Sequence, residues 1–193
     1  MRAFAILAAY PAVALAAGSA LEDPWTAGVW RLPSDDDYFY TGVDINASGG
    51  KFWVHRNVSA YCPDDVDNLD CSAYPGTRTV FTGGNGTLSL AVGVPGGQQV
   101  YIAPDSSVSY TTPHSGGMPE GSISTGFTRA RSEAFGSPVN LGFTERNWLM
   151  CPVTEGDRDT TVFQLFLWSG YRDGCLGTGV RTYTSTSDSW EYV

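Results

Sequence analysis

The chain has 193 residues and carries 20 acidic against 11 basic side chains, which gives a formal net charge of −9 at pH 7. A chain this acidic repels phosphate backbones, so we do not expect nucleic acid as a partner. The length fits a single domain with one hydrophobic core.

The first 16 residues have the pattern of a secretory signal peptide. Arg2 supplies the positive start, an apolar run covers residues 4–14, and Ala14-Leu15-Ala16 places small residues where a signal peptidase cleaves. We therefore expect cleavage after Ala16, with a site after Ala20 as the alternative, and one secreted domain over residues 17–193. No later stretch is apolar enough to span a bilayer, so a membrane is not an expected partner.

The clearest structural pattern lies between Gly83 and Thr112. Apolar residues alternate with small or polar ones over residues 87–94, 98–103 and 108–110, and turns rich in Pro, Gly and Ser separate these runs. A period of two is typical of half-buried strands, so the stretch predicts a β-meander. A different run, Val162–Trp168, is apolar except at Gln164, which predicts a central strand buried on both faces with Trp168 in the core.

Short strand-like runs recur along the whole chain, and no stretch has a helical period over ten or more residues. The 23 glycines and 11 prolines supply frequent breaks between these runs. This spacing predicts an all-β fold, a single-domain antiparallel β-barrel or sandwich. A β-trefoil of twelve short strands is a variant of that prediction, although we find no clean threefold repeat.

The four cysteines of the predicted mature chain are Cys62, Cys71, Cys151 and Cys175. An even number of cysteines in an exported chain predicts two disulfides, for which three pairings are open. Their grouping along the chain favours the local pairs Cys62–Cys71 and Cys151–Cys175. A zinc site would need thiolates in a reducing compartment, and the signal peptide argues against one.

Three glycosylation sequons begin at Asn46, Asn57 and Asn85. They predict N-linked glycans in a eukaryotic host and therefore exposed positions. We expect Asn85 to lie in a surface turn formed by Gly83–Gly86.

Among the six tryptophans, Trp53 is the best candidate for a platform on which a sugar ring stacks. In an alternating strand it shares a face with Lys51 and His55. Most tryptophans of a small β-protein pack in the core instead, so this interpretation competes with a purely structural one.

Residues that could carry catalysis or hold a metal do not form a recognised motif. The pair His114-Ser115 lacks the sequence context of a serine hydrolase, and the glutamates of the predicted loops cannot be paired as a glycosidase requires. The aspartates between Cys62 and Cys71 lack the turn glycine and the terminal glutamate of a calcium loop. We expect no catalytic residue, no cofactor and no metal site.

Several motifs resemble a family of small secreted fungal proteins. The motifs are Ile45–Trp53, Tyr61–Pro63, Gly83–Leu90, Pro95–Tyr101, Ser109–Thr111, His114–Ser115 and Trp148–Pro152. Members are often labelled IgE-binding proteins, and the family is similar to the phialide-associated cell-wall proteins of moulds. The resemblance covers roughly Val43 to Cys175, and its most specific part is Gly-Gly-Gln-Gln-Val-Tyr over residues 96–101.

The resemblance implies secretion, a cell-wall or extracellular location, an all-β fold and no enzymatic activity, and it carries no catalytic residues. The chain departs from the family pattern at Asp105-Ser106-Ser107, where the family prefers Asp-Gly. The residue with positive φ in that turn is therefore left open.

The leading functional hypothesis is a non-enzymatic secreted fungal protein, effector- or allergen-like, that is associated with the cell wall or acts at the host interface. A carbohydrate-binding module that uses an exposed aromatic side chain is the first alternative, and a small secreted hydrolase is the second. The expected partner is a cell-wall polysaccharide or a host surface component, and the protein is expected to be a monomer.

Overall fold

The computed structural model describes residues 21, 23–33, 40–154, 156–157, 159–170 and 172–193. The predicted signal peptide and both of its cleavage sites lie outside these residues, as does the acidic run Asp35-Asp36-Asp37. Within the described part of the chain, no helix is long and apolar enough to cross a membrane.

The described residues form 13 strands and one 3-10 turn over Cys71–Ala73. The strands are Trp25–Arg31 (β1), Tyr40–Ser48 (β2), Lys51–Val54 (β3), Ala60–Tyr61 (β4), Val80–Leu90 (β5), Gln98–Ile102 (β6), Val108–Tyr110 (β7), Thr125–Arg131 (β8), Val139–Phe143 (β9), Trp148–Pro152 (β10), Phe163–Leu167 (β11), Leu176–Thr184 (β12) and Glu191–Tyr192 (β13). The predicted all-β class is confirmed.

Eleven of the strands form one antiparallel sheet that closes on itself. Their order is β1-β2-β3-β11-β10-β12-β9-β8-β5-β6-β7, and the further pairs β1–β12, β1–β5 and β3–β7 join strands that this order leaves apart. Six strands, β1-β2-β3-β11-β10-β12, therefore make a complete ring, and β4 pairs separately with β13. Closure pairs backbone groups that would otherwise lie at sheet edges, as in a barrel.

The meander is built as its alternation predicts, except in its first strand, which starts earlier than predicted and ends at Leu90 instead of Val94. Leu88, Leu90, Val100 and Ile102 are buried in a single hydrophobic core. The runs before and after Gly83–Gly86 form one continuous strand, β5, so the predicted surface turn is wrong. Three glycines of this segment adopt positive φ, and the pairing register with β8 shifts there, which lets the chain bulge without turning back.

The prediction of a strand buried on both faces is also wrong. In β11 the buried residues Phe163, Leu165 and Leu167 alternate with half-buried ones, and Trp168 is 50% exposed. Phe163, Leu165 and Leu167 face the core, whereas the opposite face of β11 is only half-covered, with the Arg172 guanidinium 4.5 Å from the centroid of the Phe166 ring. An apolar run therefore reaches the protein surface here.

Both predicted disulfides, Cys62–Cys71 and Cys151–Cys175, are confirmed. The first closes the acidic loop around the 3-10 turn, where the Asp70 carboxylate accepts hydrogen bonds from the amide and the hydroxyl of Ser72. These hydrogen bonds lower the pKa of Asp70, led by the one from the hydroxyl. The second disulfide links β10 to the residue before β12, two strands that pair directly.

The C-terminal segment is held inside the fold by two buried polar side chains. The Gln98 amide Nε2 donates to the carbonyl oxygens of Thr111 and Tyr192, at 3.1 and 2.8 Å, and Gln98 Oε1 accepts from Tyr192 N at 2.8 Å. The Tyr192 hydroxyl accepts from Val80 N and donates to Arg78 O, each at 2.9 Å. Gln98 belongs to the Gly-Gly-Gln-Gln-Val-Tyr motif, so this part of the motif has a structural role.

Candidate functional site

Trp53 lies on the outer face of β3 but is anchored there. Its Nε1 donates to Ser48 O at 2.7 Å, and the guanidinium carbon of Arg56 lies 4.5 Å from the centroid of its ring. Asn46 and Gln164 flank it on the neighbouring strands. Arg56 therefore covers one face of the indole, which leaves less of the ring for a ligand than the sequence suggests.

A lysine and two serines meet beside β3, through a contact that the sequence does not indicate. Lys51 Nζ donates to Ser107 Oγ at 2.7 Å and to Ser109 Oγ at 3.0 Å, because β3 pairs with β7 at Lys51 and Ser109. A lysine can activate a serine as a nucleophile. Here the two serines are 0% and 1% exposed, so a substrate cannot reach either hydroxyl.

The same cluster fixes the turn between β6 and β7. Ser107 donates from its amide and its hydroxyl to Asp105 Oδ1, at 3.0 and 2.7 Å, and Arg172 donates to the Asp105 carbonyl. Burial alone would raise the pKa of Asp105, but the bonds from Ser107 and the charges of Lys51 and Arg172 hold it below its usual value. Ser106 takes the positive φ of 69° that the sequence left unassigned.

The two histidines do not form a catalytic arrangement with a serine. His55 Nδ1 lies 3.0 Å from Thr161 O, and its ring packs edge-on against Tyr40. His114 is in a turn, where Ser115 Oγ accepts from Gly117 N at 3.1 Å. Among the described residues, no three His, Cys, Asp or Glu side chains are grouped so that they could hold a metal ion.

Two depressions in the described surface lie elsewhere, around Trp30 and Trp168. Two adjoining hollows of about 440 and 410 Å³ share Trp30, Asn147, Thr178 and Gly179 in their walls. Each is within the size range of small-ligand sites. We call this surface the Trp30–Trp168 cleft.

Strand pairing assembles the cleft from distant parts of the chain. Trp30 is opposite Gly179 where β1 pairs with β12, and Trp168 follows the last residue of β11. Trp168 N donates to Asn147 O at 2.8 Å, which fixes Trp168 beside the start of β10. Gly177 and Gly179 place no side chain over the floor of the cleft between the two tryptophans.

Three polar side chains of the cleft are free to meet a ligand. Asn140, Arg146 and Asn147 line it, and their side chains make no hydrogen bond to another residue of the described part of the chain. The guanidinium carbon of Arg181 lies 3.3 Å from the centroid of the Trp30 ring. The cleft therefore combines one half-exposed indole, one indole stacked with a guanidinium, and unpartnered amide and guanidinium donors.

Sequence reasoning did not find this cleft, although weak signals were present. Trp168 is followed by Ser169-Gly170, and Trp30 is close to Pro33, so each tryptophan stands near the end of a strand. Strand ends lie near the surface more often than strand centres do. The pairing of β1 with β12, which brings the two together, leaves no local pattern.

The sequons differ in their surroundings. Asn57 and Asn85 are exposed, and Asn46 is half-buried with its Nδ2 donating to Arg56 O at 2.8 Å. Glycosylation at these three positions stays a prediction.

Comparison with known proteins gives one informative match. The chain is 34% identical over 125 residues to an uncharacterized secreted protein of the fungus Arthroderma benhamiae, and the match covers 64% of this chain and 59% of that protein. No protein-family profile and no solved structure matches the chain. The match relates the chain to a secreted fungal protein, and the resemblance to the IgE-binding family stays a prediction.

Proposed function

We propose that this is a secreted fungal protein that acts without catalysis, by binding carbohydrate through the Trp30–Trp168 cleft. The similarity to a secreted fungal protein supports export. A polysaccharide of the cell wall, or of a host surface, is the partner that such a cleft would meet outside the cell. This function combines two hypotheses from the sequence, a non-enzymatic secreted protein and a carbohydrate-binding module. It places the sugar-binding site in the cleft instead of at Trp53.

The observation that carries the proposal is the indole of Trp168, 50% exposed in the hollow that the unpartnered amide of Asn147 also lines, with a second unpartnered amide, that of Asn140, in the adjoining hollow. An indole face offers apolar contact to the C–H face of a sugar ring, and amides exchange hydrogen bonds with its hydroxyls. The closed sheet holds these groups in place before binding, which reduces the entropy lost on association.

Binding is favoured over hydrolysis by the chemistry of the residues that line the cleft. Glycoside hydrolysis uses two carboxyl groups on opposite sides of the scissile bond. The described residues that line the two hollows include no aspartate and no glutamate. The other candidate for nucleophilic chemistry, the cluster of Lys51 with Ser107 and Ser109, is closed to substrates by burial.

The test compares Trp168→Ala with Trp53→Ala, a matched loss of one tryptophan on the rejected surface. The secreted protein is screened on a glycan array and against soluble wall polysaccharides, and affinities of the binders are measured by calorimetry. We expect Trp168→Ala to weaken binding about tenfold or more, which is about 1.4 kcal/mol, and Trp53→Ala to leave it within about twofold.

Circular dichroism and thermal melting check that both variants are folded, and Trp53→Phe replaces Trp53→Ala if the latter is unstable. Equal affinity of Trp168→Ala and the unmodified protein would contradict the proposed site. Release of reducing sugar from any bound polysaccharide would contradict the non-enzymatic role.

A further inference from the structure

We propose that the ligand of the Trp30–Trp168 cleft is an anionic polysaccharide, one that carries carboxylate, phosphate or sulfate groups. This inference rests on the proposed function, because it assumes that the cleft binds sugar. It specifies that the ligand is negatively charged, a property that the exposed indole by itself does not determine.

The described residues that line the cleft are basic where charged, whereas the chain as a whole is acidic. The chain has a net charge of −9, yet Arg31, Arg146 and Arg181 line the cleft and no described lining residue is acidic. The nearest acidic residues along the chain are Glu133 and Glu145, which are exposed next to lining residues. Three of the 11 basic residues therefore line the two adjoining hollows of an acidic protein.

Arg181 is positioned as an anion-binding group. Its guanidinium stacks on the ring of Trp30, with 3.3 Å between the guanidinium carbon and the ring centroid. Stacking uses the flat face of a guanidinium and leaves its N–H edges available for bidentate bonds to a carboxylate, phosphate or sulfate. No carboxylate of a described residue pairs with it, so its charge is not neutralised locally.

Of the other two arginines, Arg146 supports the same conclusion. Arg146 is exposed and pairs with no described side chain, whereas Arg78, elsewhere on the surface, is bound to Asp44 at 2.6 Å. Arg31 also lines the cleft, where its Nη1 donates to Gly177 O at 2.8 Å. A polyanion would thus meet two free guanidinium groups beside an aromatic platform.

The acidic remainder of the protein restricts where a polyanion can bind. Like charges repel a polyanion from the rest of the surface and direct it to the cleft, and dissolved salt screens both effects. Binding of an anionic polysaccharide should therefore weaken as the salt concentration rises. Binding through stacking and neutral hydrogen bonds alone would change little.

The experiment uses pairs of polymers that share a sugar backbone and differ in one charged group. The pairs are dextran with dextran sulfate, methyl-esterified with free polygalacturonate, and neutral with phosphorylated mannan. Affinity of the secreted protein for each is measured at about 50 and about 500 mM NaCl, on either side of the range where salt screening becomes strong. We expect the charged member of at least one pair to bind about tenfold more tightly at low salt, and the pair that shows it identifies the anionic group as sulfate, carboxylate or phosphate.

Arg181→Gln is compared with Arg56→Gln, since Arg56 also stacks on a tryptophan but lies on the Trp53 surface. We expect Arg181→Gln to remove most of the preference for the charged polymer, and Arg56→Gln to keep it. Thermal melting shows whether each variant is folded, and Arg146→Gln provides a second, exposed test position.

The outcomes separate this inference from the proposed function. Binding of neutral and charged polymers with equal affinity, lost in Trp168→Ala, would overturn the inference and leave the proposed function standing. Preference for charged polymers that survives both Arg181→Gln and Arg146→Gln would also overturn the inference. Absence of binding to any polysaccharide would overturn the proposed function itself.

Discussion

Gln98→Glu tests whether water is excluded from the buried side-chain amide of Gln98, which holds the C-terminal segment in place. Gln98 is 2% exposed, and its Nε2 donates to two carbonyl oxygens while its Oε1 accepts one amide proton. The substitution keeps the size and shape of the side chain. It removes both N–H donors at neutral pH and introduces a charge.

The loss of folding stability comes from the two backbone carbonyl groups that accept from the Gln98 amide, those of Thr111 and Tyr192. A carboxylate facing them has no proton to donate, so the folded state must keep the introduced carboxyl group protonated. Because the ordinary pKa of a glutamate side chain is about 4.3, holding that proton costs about 1.4 kcal/mol per pH unit above this value, or about 4 kcal/mol at pH 7. A protonated carboxyl still leaves one carbonyl unpaired, at about 1–3 kcal/mol more.

The pH dependence of this loss of stability has a definite sign. Burial raises the folded-state pKa of the new carboxyl above its unfolded-state value, so the loss of stability grows as the pH rises. Relative to the unmodified protein, we expect the variant to be destabilised by about 5–7 kcal/mol at pH 7 and by about 1–3 kcal/mol at pH 4. Urea-unfolding curves of both proteins at each pH measure the two differences.

Gln99→Glu is the matched control, because Gln99 is the adjacent, half-buried residue of β6. We expect it to change the free energy of unfolding by less than about 1 kcal/mol at either pH. If Gln98→Glu lost the same stability at pH 4 and pH 7, water would be reaching position 98. That result would refute the interpretation that the Gln98 hydrogen bonds to the C-terminal segment are shielded from water.

Three further predictions concern other buried or exposed groups. Tyr192→Phe removes the partner of Val80 N and Arg78 O, and it should lower the free energy of unfolding by about 2–4 kcal/mol in chemical denaturation. The exposed Tyr61→Phe should change it little. Burial raises the pKa of Tyr110 to about 12, so the folded state keeps a proton that the unfolded state releases near pH 10. The free energy of unfolding should therefore fall by about 3 kcal/mol in total as the pH rises from about 10 to 12. In an ultraviolet titration, the absorbance of tyrosinate should rise in a late phase, after the exposed tyrosines have ionised. A single step near pH 10 would contradict this prediction. Finally, Asn85 is exposed on β5. If Asn85 is glycosylated, Asn85→Gln removes the glycan and should increase the gel mobility of the protein secreted from a fungal host. Unchanged mobility would show that this sequon is unused.

The sequence alone determined the features that depend on neighbouring residues. Alternation of apolar and polar side chains indicated the strands of the meander, because successive residues of a strand face opposite sides. The grouping of the four cysteines indicated the pairs Cys62–Cys71 and Cys151–Cys175. In both cases the interacting groups are near each other in the chain, or the pattern that selects them is local.

Local sequence patterns gave wrong predictions where the neighbours of a segment decide its burial or its conformation. The run Val162–Trp168 has the composition of a strand buried on both sides, yet only one side of β11 faces the core, and Trp168 is left half-exposed. Gly83–Gly86 has the composition of a turn, yet pairing with β8 keeps the chain extended through it. Composition does not record which neighbours a segment will have.

Only the tertiary structure decided the candidate site. Trp30 and Arg181 are far apart in the chain and stack because β1 pairs with β12 in one register, and Trp168 joins them because β11 ends beside Asn147. A shift of that register by one residue would move every side chain of β1 to the opposite face of the sheet. Long-range pairing is set by the closure of the whole sheet around one core, and no short stretch of sequence carries that information.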